Sequence, residues 1–244
     1  MKAVILAAGT ASRLKPLTNN TPKCLLRLGT KTILERTIDS LLHYNINDLV
    51  IVTGYLEKKI RDFIEDKYSK VNVQYFYNDK YRTTNNIYSL WMTQRSVQDS
   101  HIILMDSDIV FDHQIIRLLL NAGPGNFLTV RSDHQLGTEE MKVITSSENE
   151  VIKISKEIDP AAAAGESIGI EKFEPDYLKI LFDILNRRIV AEKKVNDFYE
   201  LAFQEAIDSG QSVKAVDVGK LRCIEVDTPE DLEEAEKQII KYLD

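Results

Sequence analysis

Residues 2–26 read KAVILAAGTASRLKPLTNNTPKCLL, and the fold is decided by how this stretch is understood. Lys2–Leu6 is a short apolar run of strand type. It opens into Leu6, Ala7, Ala8, Gly9, Thr10, Ala11 and Ser12, followed by Arg13 and, ten residues on, Lys23. Small residues directly after a strand let backbone N–H groups approach a polyphosphate, and a nearby arginine and lysine add charge. The loop is not a Walker A motif, because no Gly-Lys-Ser/Thr follows Gly9, and it is not a dinucleotide GxGxxG. Taken alone, Gly9 equally describes a tight turn beside two solvated cations. The rest of the chain has to decide.

Outward from this loop, strand and helix signals alternate. Apolar spacing predicts helices over Thr32–Tyr44, Leu56–Tyr68, Asn86–Val97 and Asp112–Asn121, with strands at Leu49–Thr53, Val71–Phe76, His101–Met105 and Phe127–Arg131. Such alternation implies right-handed crossovers and a mostly parallel sheet. The second half changes character. Met141–Thr145 and Val151–Ser155 read as an antiparallel pair around Asn149, then a strand at Ser167–Ile170. Helices at Pro175–Arg187 and Asp197–Asp208, strands at Val213–Val216 and Leu221–Val226, and a last helix at Pro229–Leu243 complete the chain. The expected fold is a doubly wound α/β, Rossmann-like sheet flanked by helices, with a small antiparallel lobe. One domain is expected, divided into residues 1–131, an inserted lobe over 132–220, and a last strand and terminal helix over 221–244.

Composition narrows the function. The 244 residues carry 31 Lys+Arg against 38 Asp+Glu, a net charge of −7, which argues against a non-specific nucleic-acid binder. The charge is unevenly spread: residues 1–36 hold seven basic residues and one acid, whereas residues 225–244 hold eight acids and two lysines. No stretch approaches the ~20 apolar residues of a membrane span, and the opening MKAVILAAG lacks the basic region and cleavage site of a signal peptide. Two cysteines, Cys24 and Cys223, make no disulfide framework. A cytoplasmic protein with no membrane or nucleic-acid partner is expected.

Two acidic strand ends are candidate metal sites. Asp106-Ser107-Asp108 follows the strand at His101–Met105, where open α/β sheets hold their ligands. Magnesium takes one or two carboxylates together with phosphate oxygens and water. Asp and Ser also favour plain turns. Glu225-Val226-Asp227 ends a later strand, just before a helix start with Thr228 as cap, Pro229 at the first position, and Glu230 and Asp231 serving the helix dipole. Asp227 is the better metal candidate of the pair, and Glu225 the fallback.

The full loop string resembles the LAAGxGxRLxPLTxxxPKxLL pattern of the nucleoside triphosphate transferases, with Ala11 where that family has its second glycine. The resemblance implies that residues Leu6 to Arg13 bind a nucleoside triphosphate, with Arg13 on the β- and γ-phosphates and Lys23 beside the reacting phosphate. It implies Mg²⁺ on Asp108, which matches the aspartate of the family's Gly-Asp pair, and on Asp227. Asn78 to Tyr81 and Asn85 to Leu90, reading NDKY…NNIYSL, are similar to bacterial CTP:phosphocholine cytidylyltransferases, as is the GYL of Gly54–Leu56. Asn78, Thr84, Asn85 and Asn86 are therefore expected at the nucleotide, since amides and hydroxyls read base edges; Thr84 or Asn85 is also a helix cap.

For the acceptor, Lys156 matches a family lysine that contacts its phosphate. Glu166, Phe173 and Tyr177 are available to a quaternary ammonium, and Lys142 could assist or be a solvated strand lysine. The expected activity is Mg²⁺-dependent transfer of CMP from CTP to a small phosphorylated alcohol such as phosphocholine, with pyrophosphate released. Arg13, Lys23 and Asp108 would carry catalysis. Sugar 1-phosphate, inositol phosphate and aminoethylphosphonate remain alternative acceptors. A DxD glycosyltransferase ranks below, because it gives the loop no role, and a non-catalytic nucleotide sensor would be expected to have lost these charged positions. Cys24 has no activating base, and Trp91 is expected to pack against the sheet.

Overall fold

The computed structural model describes residues 1–241, so the last residues of the expected terminal helix, Leu243 among them, lie outside the described residues. In chain order the elements are β1 (Lys2–Ala7), β2 (Arg27–Leu28), β3 (Lys31–Thr32), α1 (Ile33–His43), β4 (Asp48–Thr53), α2 (Glu57–Lys67), β5 (Asn72–Tyr77), α3 (Asn86–Met92) and α4 (Gln94–Val97). There follow β6 (Ile102–Asp106), β7 (Ile109–Phe111), α5 (Gln114–Asn121), β8 (Phe127–Arg131), β9 (Lys142–Thr145), β10 (Val151–Ser155) and β11 (Gly165–Phe173). The chain continues with α6 (Pro175–Asn186), α7 (Glu200–Asp208), β12 (Lys214–Asp217), β13 (Cys223–Glu225) and α8 (Pro229–Glu234).

The parallel core runs β6-β1-β4-β5, with Leu6 opposite Asp106 and Ala7 opposite Thr53. β1 leaves through α1 toward β4 on one side while β6 lies on the other, so the end of β1 is a topological switch point. β11 then adds antiparallel to β6 and carries β8 and β12 along its other edge, with β9 and β10 beyond its N-terminal end. This is the expected mostly parallel, helix-flanked sheet with antiparallel strands in the second half. Two cores face the sheet. One, built on Leu104, Leu128, Phe173, Tyr177, Tyr199 and Phe203, lies under α3, α6 and α7; the other, on Ile5, Ile51, Ile60 and Ile116, lies under α1, α2 and α5.

Several expectations are corrected. The helix expected over Asn86–Val97 breaks at Thr93, whose hydroxyl donates to the Leu90 carbonyl at 2.7 Å. The strand at Ser167–Ile170 is longer, spanning β11, because a register shift absorbs Gly169 at φ 70° instead of ending the strand. The strand at Leu221–Val226 shortens to β13 and pairs with β7, outside the main sheet; neither β7 nor the β2–β3 hairpin is foreseen. The helix at Asp197–Asp208 starts only at Glu200, and the one at Pro175–Arg187 ends at Asn186 and widens into a π-turn over 187–191. The terminal helix is α-helical only over α8 and then widens likewise over 235–240. A third apolar cluster, Leu14, Leu28, Ile33, Val110, Val226 and Ala235, ties the loop after β1 to the strand end at Val226. That cluster is what draws the two ends of the chain together.

Candidate active site

The loop after β1 is held from three sides. Tyr55 N–H donates to the Ala8 carbonyl at 3.2 Å, and the contact is so close that a Cβ on Gly54 would lie 2.6 Å from that oxygen. Ala11 sits at φ 47°, ψ 52°, the left-handed region that glycine occupies freely. Its carbonyl accepts from Thr18 Oγ1 at 2.8 Å and from Leu14 N–H at 3.2 Å, which fixes the turn carrying Arg13. Tyr55 Oη reinforces the next segment by donating to the carbonyls of Thr18 and Asn19.

The carboxylates meet this loop at the switch point. Lys23 Nζ donates to Asp108 Oδ2 at 2.7 Å and to Asp227 Oδ1 at 2.6 Å, and Arg13 Nη2 donates to Asp227 Oδ2 at 2.5 Å. Lys23 is nearly enclosed, and burial alone would lower its pKa; attraction to Asp108 and Asp227 outweighs this and raises it, so the ammonium stays charged. Burial likewise works against Asp227, but Lys23 and then Arg13 bring its carboxyl below the usual range. Arg13 is 64% exposed, so its ion pair contributes little to stability and the guanidinium remains free to meet a phosphate. Cys24 is buried, and that burial, then Asp108, pushes its thiol up to about 12, which removes it as a nucleophile.

Asp108, Glu225 and Asp227 each offer an oxygen within 4.8 Å of the others. Asp108 Oδ1 is buried with no hydrogen-bond partner among the described residues. Three hard oxygen donors around a position already neighboured by an ammonium, one of them lacking any partner, fit a magnesium ion. Glu225 is exposed as a residue, yet desolvation of its carboxyl in the pocket wall, then repulsion from Asp108 and Asp227, pushes it up to about 8. Asp106, the first acid of its motif, lines the same cavity but stands outside this trio: its carboxyl accepts from Tyr199 Oη at 2.8 Å. Burial, then repulsion from Asp108, raises its pKa well above the usual range.

The loop and the carboxylates open onto one cavity of about 360 Å³. Leu6 to Arg13, Lys23, Asn78, Thr84, Asn85, Asn86, Asp108 and Asp227 share it. Within it, Asn85 rather than Thr84 caps α3, accepting from Asn86 N–H at 2.8 Å. Asn78 is buried and spends its amide on Thr84 Oγ1, Ser89 Oγ and Lys80 N–H, so it holds the wall in shape. Asn86 Oδ1 accepts from Tyr199 N–H at 3.0 Å.

The residues expected at the acceptor are spread more widely. Lys156 Nζ lies 5.0 Å from the ring centre of Phe198, a wall residue of the cavity, while Lys156 and Glu166 do not line it themselves. Glu166 sits 3.0 Å from His134 Nε2; burial, then Glu140, pushes it up to about 7. Lys142 is not a solvated lysine: it is 1% exposed, and its ammonium donates to the carbonyls of Gly137, Thr138 and Glu140. Phe173 and Tyr177 are not available to a ligand either, because both are fully buried and stacked on one another. Trp91 packs against the core on the sheet and donates to Asn186 Oδ1 at 2.7 Å. Tyr81 and Ser89, from the NDKY…NNIYSL segment, also line the cavity, as does Phe198, which was not singled out in the sequence; the Phe198-Tyr199 pair within the polar run VNDFYE is the signal that could have marked it.

A strand-end loop of small residues facing paired carboxylates across a switch point defines a nucleotide-binding α/β protein. The nucleotidyl transferase family model matches residues 2–239, and the chain belongs to that family. It is 41% identical over 107 residues to the choline-phosphate cytidylyltransferase of Streptococcus pneumoniae, covering 44% of this chain and 45% of that one, so the match spans less than half the length of that relative. It is 27% identical to the CTP:phosphoglutamine cytidylyltransferase of Campylobacter jejuni, covering 96% and 98% of the two chains. Among solved structures, CTP:phosphocholine cytidylyltransferase from Streptococcus pneumoniae superposes with a TM-score of 0.82 at 27% identity, covering 96% of this chain and 97% of that one. No helix among the described residues is long and apolar enough to cross a membrane.

Proposed function

We propose that this chain is a cytidylyltransferase that transfers CMP from CTP to a small phosphorylated acceptor. The observation that carries the reading is the meeting of Lys23 with Asp108 and Asp227 beside the glycine loop. The similarity to proteins named as cytidylyltransferases supports CTP as the nucleotide.

The acceptor's phosphate oxygen attacks the α-phosphorus of CTP, the bond to the β-phosphate breaks, and pyrophosphate leaves. An ionised acceptor brings no proton to remove, so the site needs no general base and works by positioning and charge stabilisation. The loop amides and Arg13 hold the departing pyrophosphate, and the exposure of Arg13 lets it turn from Asp227 to that task. Lys23, fixed by two carboxylates, offsets charge at the α-phosphate. Asp108, Glu225 and Asp227 would hold Mg²⁺, which when bound neutralises charge on the phosphate oxygens.

The test is pyrophosphate release from CTP, UTP, ATP and GTP against a panel of phosphocholine, aminoethylphosphonate, inositol phosphate and sugar 1-phosphates. CTP turnover that is lost in a folded Asp108→Ala variant supports the reading. Turnover by Asp108→Ala close to wild type, or a clear preference for another nucleotide, overturns it.

A further inference from the structure

A second cavity, of about 160 Å³, is walled by α1 and by the chain leaving β7, and it shares no lining residue with the first. α1 presents Arg36, Asp39 and His43 to it, spaced three and four residues apart on one helical face. Lys31 reaches it from β3, and His113 from just past the end of β7. The reaction above uses none of these side chains.

The wall is positive. Lys31 and Arg36 are two cations against one carboxylate, Asp39, whose oxygens are already engaged: Oδ2 accepts from Lys31 Nζ at 2.7 Å and Oδ1 from Tyr68 Oη at 2.9 Å. Arg36 is buried, and a guanidinium keeps its charge there. The two imidazoles stand together, with ring centres 4.6 Å apart. Tyr44 Oη lies 2.9 Å from His113 Nδ1, which steadies that ring. With the hydroxyl donating to Nδ1, Nε2 carries the proton and is the donor left for a ligand.

A divalent cation is one ligand that paired imidazoles suggest. The sign of the wall opposes it. Among the described residues, moreover, only Asp108, Glu225 and Asp227 bring three candidate ligand atoms within 4.8 Å of one another. An anion suits the wall better. A phosphate monoester carries about −1.5 to −2 charge and three strong acceptor oxygens, enough to meet the Lys31 ammonium and two ring N–H groups.

We propose that this cavity is a second ligand site, separate from the one that takes the nucleotide, and that it binds a small phosphorylated anion. Lys31, His43 and His113 donate to the phosphate oxygens, and Arg36 adds its charge.

The chain has four histidines, His43, His101, His113 and His134, so imidazole NMR reads the cavity directly. Ring signals of the EDTA-treated full chain are followed at constant pH as sodium phosphate or ethyl phosphate is added. His43→Gln and His113→Gln assign the two signals of the cavity, and His101, which lines neither cavity, is the internal control. The His43 and His113 signals are expected to move saturably with at least one of the two anions while His101 stays. The tighter of the two tells a free ion from an ester. Sodium chloride at equal ionic strength should not reproduce the movement. Lys31→Met is expected to weaken binding about tenfold, as one charge-assisted hydrogen bond is lost, and Lys31→Arg to keep it within about threefold. Arg13→Ala, a change confined to the first cavity, should leave the movement as it is. Absence of saturable movement with both anions, an equal response to chloride, undiminished binding by Lys31→Met, or loss of the movement in Arg13→Ala overturns the inference.

Discussion

Lys23 and Asp227, 204 residues apart in sequence, meet at 2.6 Å. The small apolar cluster of Leu14, Val110, Val226 and Ala235 makes this possible by packing the loop after β1 against the chain's last strand end. Lys23 therefore does two jobs: it neutralises Asp108 and Asp227 in the folded protein, and it stands ready for a phosphate. Replacing it with methionine keeps the stem and removes the charge. Pyrophosphate release is expected to fall by about 10²-fold or more. The EDTA-treated variant is also expected to melt below wild type, since three carboxyls within 4.8 Å then repel one another. Adding MgCl₂ should raise its melting temperature more than that of wild type, which thermal melts with and without the metal would check.

Ala11 occupies a left-handed conformation that costs an L-residue with a Cβ roughly 1 kcal/mol. Ala11→Gly is expected to relieve that strain, offset in part by the freer unfolded chain. A gain of up to about 1 kcal/mol, or about 2–4 °C in melting temperature for a chain of this size, is the predicted result. A lower melting temperature would mean that the methyl group packs usefully against the loop.

Gly54 presents the opposite case. A Cβ there would stand 2.6 Å from the Ala8 carbonyl and 2.7 Å from Tyr81 Cβ, neither of which is a flexible chain end. Gly54→Ala is expected to push the loop outward, break the hydrogen bond from Tyr55 N–H to Ala8, and destabilise by about 1–3 kcal/mol. The KM for CTP should rise, because the displaced segment is the one that faces the phosphates; steady-state kinetics and a chemical melt measure both.

Much of this site is legible in sequence because its parts sit at strand ends. Period-two and period-3.6 patterns locate β1, β6 and the helices between them, and parallel pairing then brings the loop after Leu6 next to Asp106. What periodicity does not carry is which side chain of an acidic pair turns inward. Asp106 and Asp108 look equivalent as letters, yet one is drawn to Tyr199 and the other to Lys23. Lys142 shows the same limit: strand alternation places it, but its burial depends on the turn 137–140 folding back to supply three carbonyls. β7 escapes notice because three residues after a turn leave no period to read, although it is the partner that seats β13 and hence Asp227.

Raised carboxyls also fix a pH dependence. Glu166 and Glu200 are pushed up to about 7 by burial, against an ordinary value near 4.5. Between those values the native state holds protons that the unfolded chain has released, so stability falls as pH rises through the window. Each such proton contributes at most about 1.4 kcal/mol per pH unit. The melting temperature of the EDTA-treated protein is expected to decline from pH 5 to pH 7.5, and Glu200→Gln should flatten the slope. A melting temperature that rises over this range in wild type would contradict the burial of these groups.

The segment between α6 and α7 is braced by Arg188, whose Nε donates to Glu205 Oε2 at 2.9 Å and whose Nη1 donates to Asp197 Oδ2 at 2.8 Å. Arg188 is 14% exposed, so these are not loose surface pairs. The braced segment delivers Phe198 to the cavity wall and Tyr199 to Asp106, and Asn85 N–H ties it to the nucleotide side by donating to the Val195 carbonyl at 2.9 Å. Arg188→Ala is expected to cost about 2 kcal/mol of stability, as charged hydrogen bonds are lost and Glu205 and Asp197 lose a partner. It should also raise the KM of the phosphorylated acceptor several-fold, with a smaller change in the KM of CTP. Arg188→Lys should not restore either property, since one ammonium on a flexible stem cannot reproduce a fork that reaches two carboxylates at once. Acceptor KM values for the two variants, read beside hydrogen exchange over residues 192–199, decide the matter: exchange that quickens in both variants while acceptor KM stays at the wild-type value would separate the brace from the site.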